Sequence, residues 1–176
     1  PVPGVEVKIA ADGEILTRGP NVMKGYYNKP EATAEVLSPD GWFSTGDIGK
    51  LDADGYLWIT DRKKDIIVTA GGKNVAPQNL ENELKTDPLI SQVMVHGDKR
   101  KFLSALVTLN EESARKWAAE NGVAPGAALH EDAKVKARIQ QAVDALNAKQ
   151  ASYATVKRFA IVPRDFTQET GELTPT

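Results

Sequence analysis

The chain contains no cysteine. Disulfides, thiolate nucleophiles and cysteine-based zinc sites are therefore excluded, and a reducing cytosol is the compartment this composition fits. Histidine is nearly absent: His96 and His130 stand far apart without metal-ligand spacing, so no metal site is expected from them. No run of about 18 apolar residues occurs, which excludes a conventional transmembrane helix. The opening PVPGVEVKIAADGEIL lacks the basic start and apolar stretch of a signal peptide, and none is expected. An excess of charge is missing too. With 22 Lys plus Arg against 24 Asp plus Glu, the formal net charge is -2, which gives no reason to expect nucleic acid as a partner. Peripheral contact with the inner face of a membrane stays open. No Ser-His-Asp arrangement or pair of carboxylates stands out, so no catalytic residue is named.

The 176 residues that are present suffice for one full domain, or for a small domain with a piece of another. The first third reads as short strands and turns. Val5, Val7 and Ile9 alternate with Glu6 and Lys8, and Asp12-Gly13 turns the chain into Glu14-Ile15-Leu16. A short helix is expected over residues 31–37, and a turn at Asp54-Gly55 joins two strand ends. Trp42-Phe43 reads as an apolar strand end.

From Asp61 the texture changes. Ile66-Ile67-Val68 reads as a strand, Gly71-Gly72 as a turn, and Pro77 as the first residue of a helix that Asp87-Pro88 ends. LISQVMVH and FLSALVTL read as an antiparallel pair across GDKRK. Asn110 caps a helix that Gly122 stops. A longer helix over residues 131–149 carries Val135, Ile139, Val143 and Leu146 as an apolar stripe, and residues 156–162 give a last strand. The fold class is α+β: a small sheet of three or four strands with packed helices, preceded by a β-rich remnant of another domain. The expected core comprises Leu80, Leu84, Val93, Val95, Leu106, Val135, Ile139, Val143, Leu146 and Ile161. Both ends read as cut. Pro1-Val2-Pro3-Gly4 is a turn with nothing before it to pair against, and Leu173-Thr174-Pro175-Thr176 closes no element.

Three stretches are suited to chemistry. In Ser44-Thr45-Gly46-Asp47 the glycine lets the backbone turn and Asp47 projects a carboxylate that can accept both hydroxyls of a ribose; an aspartate capping its own turn gives the same pattern. In DRKKD, residues 61–65, Arg62 offers a rigid donor fork to a ribose or phosphate, while Arg62, Lys63 and Lys64 also fit a solvated face. Gly71-Gly72-Lys73 is no Walker loop, but paired glycines permit a thin ligand to approach the backbone.

Taken together, GYYNKPEAT, DGWFSTGD, DGYLWITDRKKDIIVTAGGKNVAPQNLE and the terminal ETGELTPT resemble the adenylate-forming acyl-CoA synthetases, most closely the bacterial long-chain fatty acid branch. The four motifs come in the family's order and cover essentially the whole chain. The resemblance implies a C-terminal portion of an enzyme that activates a fatty acid with ATP and Mg2+ to an acyl-adenylate, then displaces AMP with coenzyme A. It implies residues 1–60 as the end of a large adenylation domain, 61–65 as a hinge, and 66–176 as a small mobile domain ending before the adenylation lysine. By the same resemblance Asp47 and Arg62 grip the nucleotide, Lys64 is the hinge, and Gly71, Gly72 and Lys73 line the coenzyme A channel. Tyr56 and Trp58 are then packing residues at the domain junction.

The family's phosphate-binding loop, acyl tunnel and adenine-site segment have no counterpart in the chain, and its adenylation lysine falls just beyond Thr176, so Lys63, Lys64 and Lys73 do not take that role. The chain alone is therefore expected to be inactive and to hold no bound cofactor, with the large N-terminal domain as its partner. Two other readings stay open: a ligase that passes its acyl-adenylate to a carrier protein, and a non-catalytic binding module.

Overall fold

Turns built on Asp-Gly pairs cut the first sixty residues into short strands that can only fold back on one another. The computed structural model describes residues 1–174, so Pro175 and Thr176, the end of ETGELTPT, lie outside the described residues. One compact unit runs Pro1–Ile66, and a second begins at Ile67. In the first, β1 (Glu6–Ile9), β2 (Glu14–Arg18), β3 (Phe43–Leu51) and β4 (Leu57–Arg62) form an antiparallel sheet in that order. A short helix, α1 (Pro30–Val36), lies between β2 and β3 with proline in its first turn. The turn from β3 to β4 is pinned by Asp52, whose carboxylate accepts the N–H groups of Asp54 and Tyr56 and the indole N–H of Trp58.

One expectation for this unit needs correction. Phe43, with Trp42 just before it, begins a nine-residue strand and does not end one. Tyr56 and Trp58 are 69% and 56% exposed in this chain: Tyr56 follows the turn and Trp58 is tied sideways to Asp52.

The second unit starts with a hairpin, β5 (Ile67–Val68) and β6 (Asn74–Val75), then α2 (Pro77–Leu84). Ile66, expected in the strand, instead closes a 3-10 turn at Lys63–Asp65, and β6 is a strand the sequence reading did not anticipate. A three-stranded sheet follows in the order β7 (Ile90–His96), β8 (Leu103–Leu109), β9 (Val156–Ile161). The pair β7/β8 is antiparallel and β8/β9 parallel. A parallel neighbour requires a crossover connection, supplied by α3 (Glu111–Glu120) and α4 (Ala133–Asn147). Asn110 caps α3 through the Ser113 N–H, and Asp132 caps α4 through the Lys134 and Val135 N–H groups.

Leu80 and Leu84 of α2, and Ile139, Val143 and Leu146 of α4, meet Val93, Val95, Leu103, Ala105, Val107 and Val156 of the sheet in one buried cluster. Leu106 is not in it. It faces away between buried Ala105 and Val107, opposite the exposed Met94, because alternate residues of a strand point to opposite faces. Ile161 is only half-buried, although it packs against the cluster.

After β9 the chain is pegged to the sheet. The Gln92 carboxamide accepts the Phe166 N–H at 2.6 Å and donates to the Phe166 carbonyl at 3.3 Å, while Ser91 and the buried Thr108 both donate to Asp165.

The core assignment sets the first expected outcome. Ile139→Ala, at a fully buried position, should lower unfolding free energy by about 3 kcal/mol. Leu106→Ala should cost about 1 kcal/mol or less. Denaturant unfolding of both variants checks this, and equal losses would place Leu106 back in the core.

Candidate functional site

The first assembly of interest is built by a bulge. Leu16 lies opposite Ser44 and Glu14 opposite Ile48, so Thr45, Gly46 and Asp47 of β3 face the single residue Ile15 of β2. Extra residues in one strand bend it and turn a side chain off the regular alternation. Gly46 takes φ +74°, a left-handed conformation that glycine adopts without Cβ strain. Three hydrogen bonds then fix the bulge. Gly46 N–H donates to Glu14 Oε1 at 2.9 Å, Thr45 Oγ1 donates to the Ile15 carbonyl at 2.8 Å, and Asp47 N–H donates to Thr45 Oγ1 at 3.1 Å.

On this bulge Asp47 stands across β3 and β4 from Arg62, with Arg62 Nε 3.4 Å from Asp47 Oδ1. The Asp47 side chain is 30% exposed and that of Arg62 63% exposed. An ion pair this long and this wet is worth little by itself, so both groups retain capacity to bind a ligand. A carboxylate offers two acceptor oxygens, and a guanidinium offers planar donors to ribose or phosphate oxygens. Asp47 and Arg62, which the resemblance places in one nucleotide grip, lie side by side here.

Lys63 is the residue the sequence reading missed. It begins the 3-10 turn Lys63–Asp65, and its ammonium lies 2.8 Å from both Asp12 Oδ2 and Glu14 Oε2. The Lys63 hydrogen bond, helped by the Glu14 backbone N–H, holds the Asp12 carboxyl below its ordinary pKa. Asp12, then Glu14, raises that of Lys63. Glu14 itself is buried, so one carboxylate joins the Gly46 N–H to the Lys63 ammonium. No local signal marks this link, since Glu14 and Lys63 lie 49 positions apart. Lys64 follows Lys63 in the turn and is exposed.

The second assembly is the β5–β6 hairpin. Thr69 N–H donates to the Lys73 carbonyl, Gly72 N–H donates to the Thr69 carbonyl, and Thr69 Oγ1 accepts the Lys73 N–H. Gly72 sits at φ +69°, so a side chain there is strained. Around Gly71 a Cβ would meet only Thr69 Oγ1, at 3.9 Å, and around Gly72 nothing within 4 Å. Gly71 and Gly72 therefore form an open, bare-backbone tip, with Lys73 next to it. Its base is braced by the loop before β8: Val68 N–H donates to Asp98, Ala70 N–H to the Arg100 carbonyl, and Lys99 N–H to the Val68 carbonyl.

Among the described residues there is no group of three or more His, Asp or Glu placed to hold a metal ion, and no helix long and apolar enough to cross a membrane.

With this geometry in place, the chain can be set beside known proteins. A family model described as the AMP-binding enzyme C-terminal domain matches residues 64–175. Over its full length the chain is 48% identical to the long-chain-fatty-acid–CoA ligase FadD15 of Mycobacterium tuberculosis, of which it spans 30%. Among solved structures, it is similar to the A domain of carboxylic acid reductase from Segniliparus rugosus in complex with AMP and a co-purified carboxylic acid. There the TM-score is 0.72 at 26% identity, covering 95% of this chain and 27% of that one. It is also similar to the amide bond synthetase McbA from Marinactinospora thermotolerans, with a TM-score of 0.66 at 28% identity over 92% of this chain and 31% of that one.

The Lys63 cluster makes a pH-dependent outcome. Asp12 has a lowered folded-state pKa, so its contribution to stability is present above its unfolded value and is lost as pH falls through the folded one. The raised Lys63 behaves in reverse: its contribution is present below its unfolded value and is lost as pH rises through its folded one. Carboxyl titration by NMR should show Asp12 titrating below its ordinary value, and Lys63→Met should move it back toward that value, with the Glu14 N–H still lowering it. An Asp12 midpoint unmoved by Lys63→Met would remove the ion pair.

Proposed function

Because the chain belongs to the AMP-binding enzyme C-terminal domain family, within the adenylate-forming superfamily, we propose that it is the C-terminal part of an ATP-dependent long-chain fatty acid–CoA ligase. The observation that carries this reading is the braced bulge that presents Asp47 beside Arg62. The 48% identity to a protein named as a long-chain-fatty-acid–CoA ligase supports coenzyme A as the acceptor.

In the whole enzyme the fatty acid carboxylate attacks the α-phosphorus of ATP and pyrophosphate leaves, forming an acyl-adenylate. The thiolate of coenzyme A then attacks the acyl carbonyl and AMP leaves as the thioester forms. Within this chain Asp47 accepts the ribose hydroxyls, and Arg62 donates to ribose or phosphate oxygens. Residues 1–60 end the large adenylation domain, 61–65 are the hinge, and the remainder is the small mobile domain. Lys64 is the pivot about which that domain turns between the two half-reactions. The tip at Gly71, Gly72 and Lys73 lines the passage for pantetheine, where absent side chains let a thin ligand approach. Domain closure of this kind excludes water and assembles a site from separate pieces. Lys63 is no substitute for an adenylation lysine, since Asp12 and Glu14 already hold its ammonium. Fatty acid, ATP and coenzyme A are the small-molecule partners, and the cytoplasm, including the inner membrane face, is the place of action.

A second reading, transfer to an acceptor other than coenzyme A, is favoured by the likeness to a carboxylic acid reductase and an amide bond synthetase. The full-length protein decides between them when given ATP, Mg2+, palmitate and either coenzyme A or an acyl carrier protein. Palmitoyl-CoA with release of AMP and pyrophosphate is the expected outcome. Acyl-adenylate that accumulates until carrier protein is added would establish the alternative. Asp47→Ala should weaken ATP binding by about tenfold or more, since it removes hydrogen bonds to a charged acceptor. Gly72→Leu should slow thioester formation while sparing adenylation.

A further inference from the structure

Glu14 has a place in the fold that neither a ribose contact nor a hinge explains. It is 6% exposed, in a strand whose next residue, Ile15, is buried at 3%. Its two oxygens go to different places: Oε1 accepts the Gly46 N–H at 2.9 Å, and Oε2 accepts from Lys63 Nζ at 2.8 Å. Gly46 is the left-handed residue of the bulge and the immediate neighbour of Asp47. Lys63 is the immediate neighbour of Lys64 and adjoins Arg62. A second carboxylate, Asp12, accepts from the same ammonium. Leaving a carboxylate buried with either partner missing is costly, so each partner helps keep the other in place.

We propose that Glu14 is a positioning residue for the nucleotide grip, aiming Asp47 through the Gly46 bulge and anchoring Arg62 through Lys63. The inference rests on the reading of Asp47 and Arg62 as nucleotide contacts. It adds that their placement depends on one carboxylate that touches neither substrate nor cofactor. The two halves of the grip pair directly across β3 and β4, and Glu14 on β2 ties to the neighbour of each, Gly46 beside Asp47 and Lys63 beside Arg62. The same link fixes the chain up to Lys63 and leaves Lys64 as the first residue beyond it.

Binding of AMP to the full-length protein, measured by calorimetry, tests this without requiring chemistry. Asp47→Ala, Glu14→Ala, Glu14→Gln and Lys63→Met are compared with the unaltered protein, together with the KM for ATP and kcat. Glu14→Ala is expected to weaken AMP binding about tenfold and to raise the KM for ATP more than it lowers kcat. Glu14→Gln keeps an oxygen that can accept the Gly46 N–H, so it should recover most of that loss. Lys63→Met, at a half-exposed side chain, should fold and weaken AMP binding by about threefold.

If Asp47→Ala weakens AMP binding while Glu14→Ala and Lys63→Met leave it within about 1.5-fold of the unaltered protein, the positioning role is overturned and the nucleotide reading stands. If Asp47→Ala itself has no effect, the nucleotide reading fails, and this inference with it. Should Glu14→Ala fail to fold, the pair Glu14→Gln and Lys63→Met decides. Unchanged affinity in both overturns the proposal, and a loss in Lys63→Met larger than in Glu14→Gln supports it.

Discussion

A buried carboxylate obliges its partners to stay, and in the first unit that obligation shapes the site. Glu14 sits where β2 pairs with β3, with one oxygen on a backbone N–H and the other on an ammonium. Desolvating the charge without both partners would cost several kcal/mol. The bulge at Gly46 therefore stays formed, and the chain leaving β4 stays attached at Lys63. In the proposed reading the Asp47–Arg62 pair takes its geometry from these two restraints; by itself it contributes little, because it is long and open to solvent. A weak pair held by strong neighbours is a good arrangement for a ligand grip. The groups are preoriented, and little is lost when a ligand takes over their hydrogen bonds.

The second unit is built on a different constraint. Its sheet closes against α2 and α4 through side chains that are almost wholly buried, among them Leu103, Val107, Ile139 and Val143. That core owes nothing to the charged segment before it. A unit that carries its own core can move as a body, as the proposed reading of two half-reactions served by one mobile domain requires. The hairpin tip at Gly71 and Gly72 is carried by this unit. It is braced at its base by the 98–100 loop and open at its end.

Local chemistry explains which parts were legible in the sequence. The turns at Asp12-Gly13 and Asp54-Gly55, the helix start at Pro77, the cap at Asn110 and the stop at Gly122 all act within a few residues. The stripe of Val135, Ile139, Val143 and Leu146 was equally plain, since one helix face repeats without ambiguity. What escaped depends on distant partners. Lys63 and Glu14 lie 49 positions apart, and Gln92 and Phe166 lie 74 apart, so neither pairing leaves a local mark. In FLSALVTL apolar residues occupy both parities, and periodicity could not say that Leu106 faces away while Ala105 and Val107 face inward. The two-residue β6 was too short to show alternation. Asp47 and Arg62 were each picked out by resemblance to the adenylate-forming family; their pairing across β3 and β4 needed the sheet register.

In the proposed function the chain turns at Lys64, one residue past its anchor, to serve two half-reactions. Proline at that position fixes φ near -65° and removes the backbone N–H, whereas leucine keeps the backbone free. In the full-length protein, pyrophosphate exchange reports adenylation, and single-turnover transfer from preformed acyl-adenylate reports thioester formation. Lys64→Pro is expected to lose far more of the transfer than of the exchange, and Lys64→Leu to be mild in both. Equal losses in the two assays for Lys64→Pro, or equal damage from leucine and proline, would contradict the turn at Lys64.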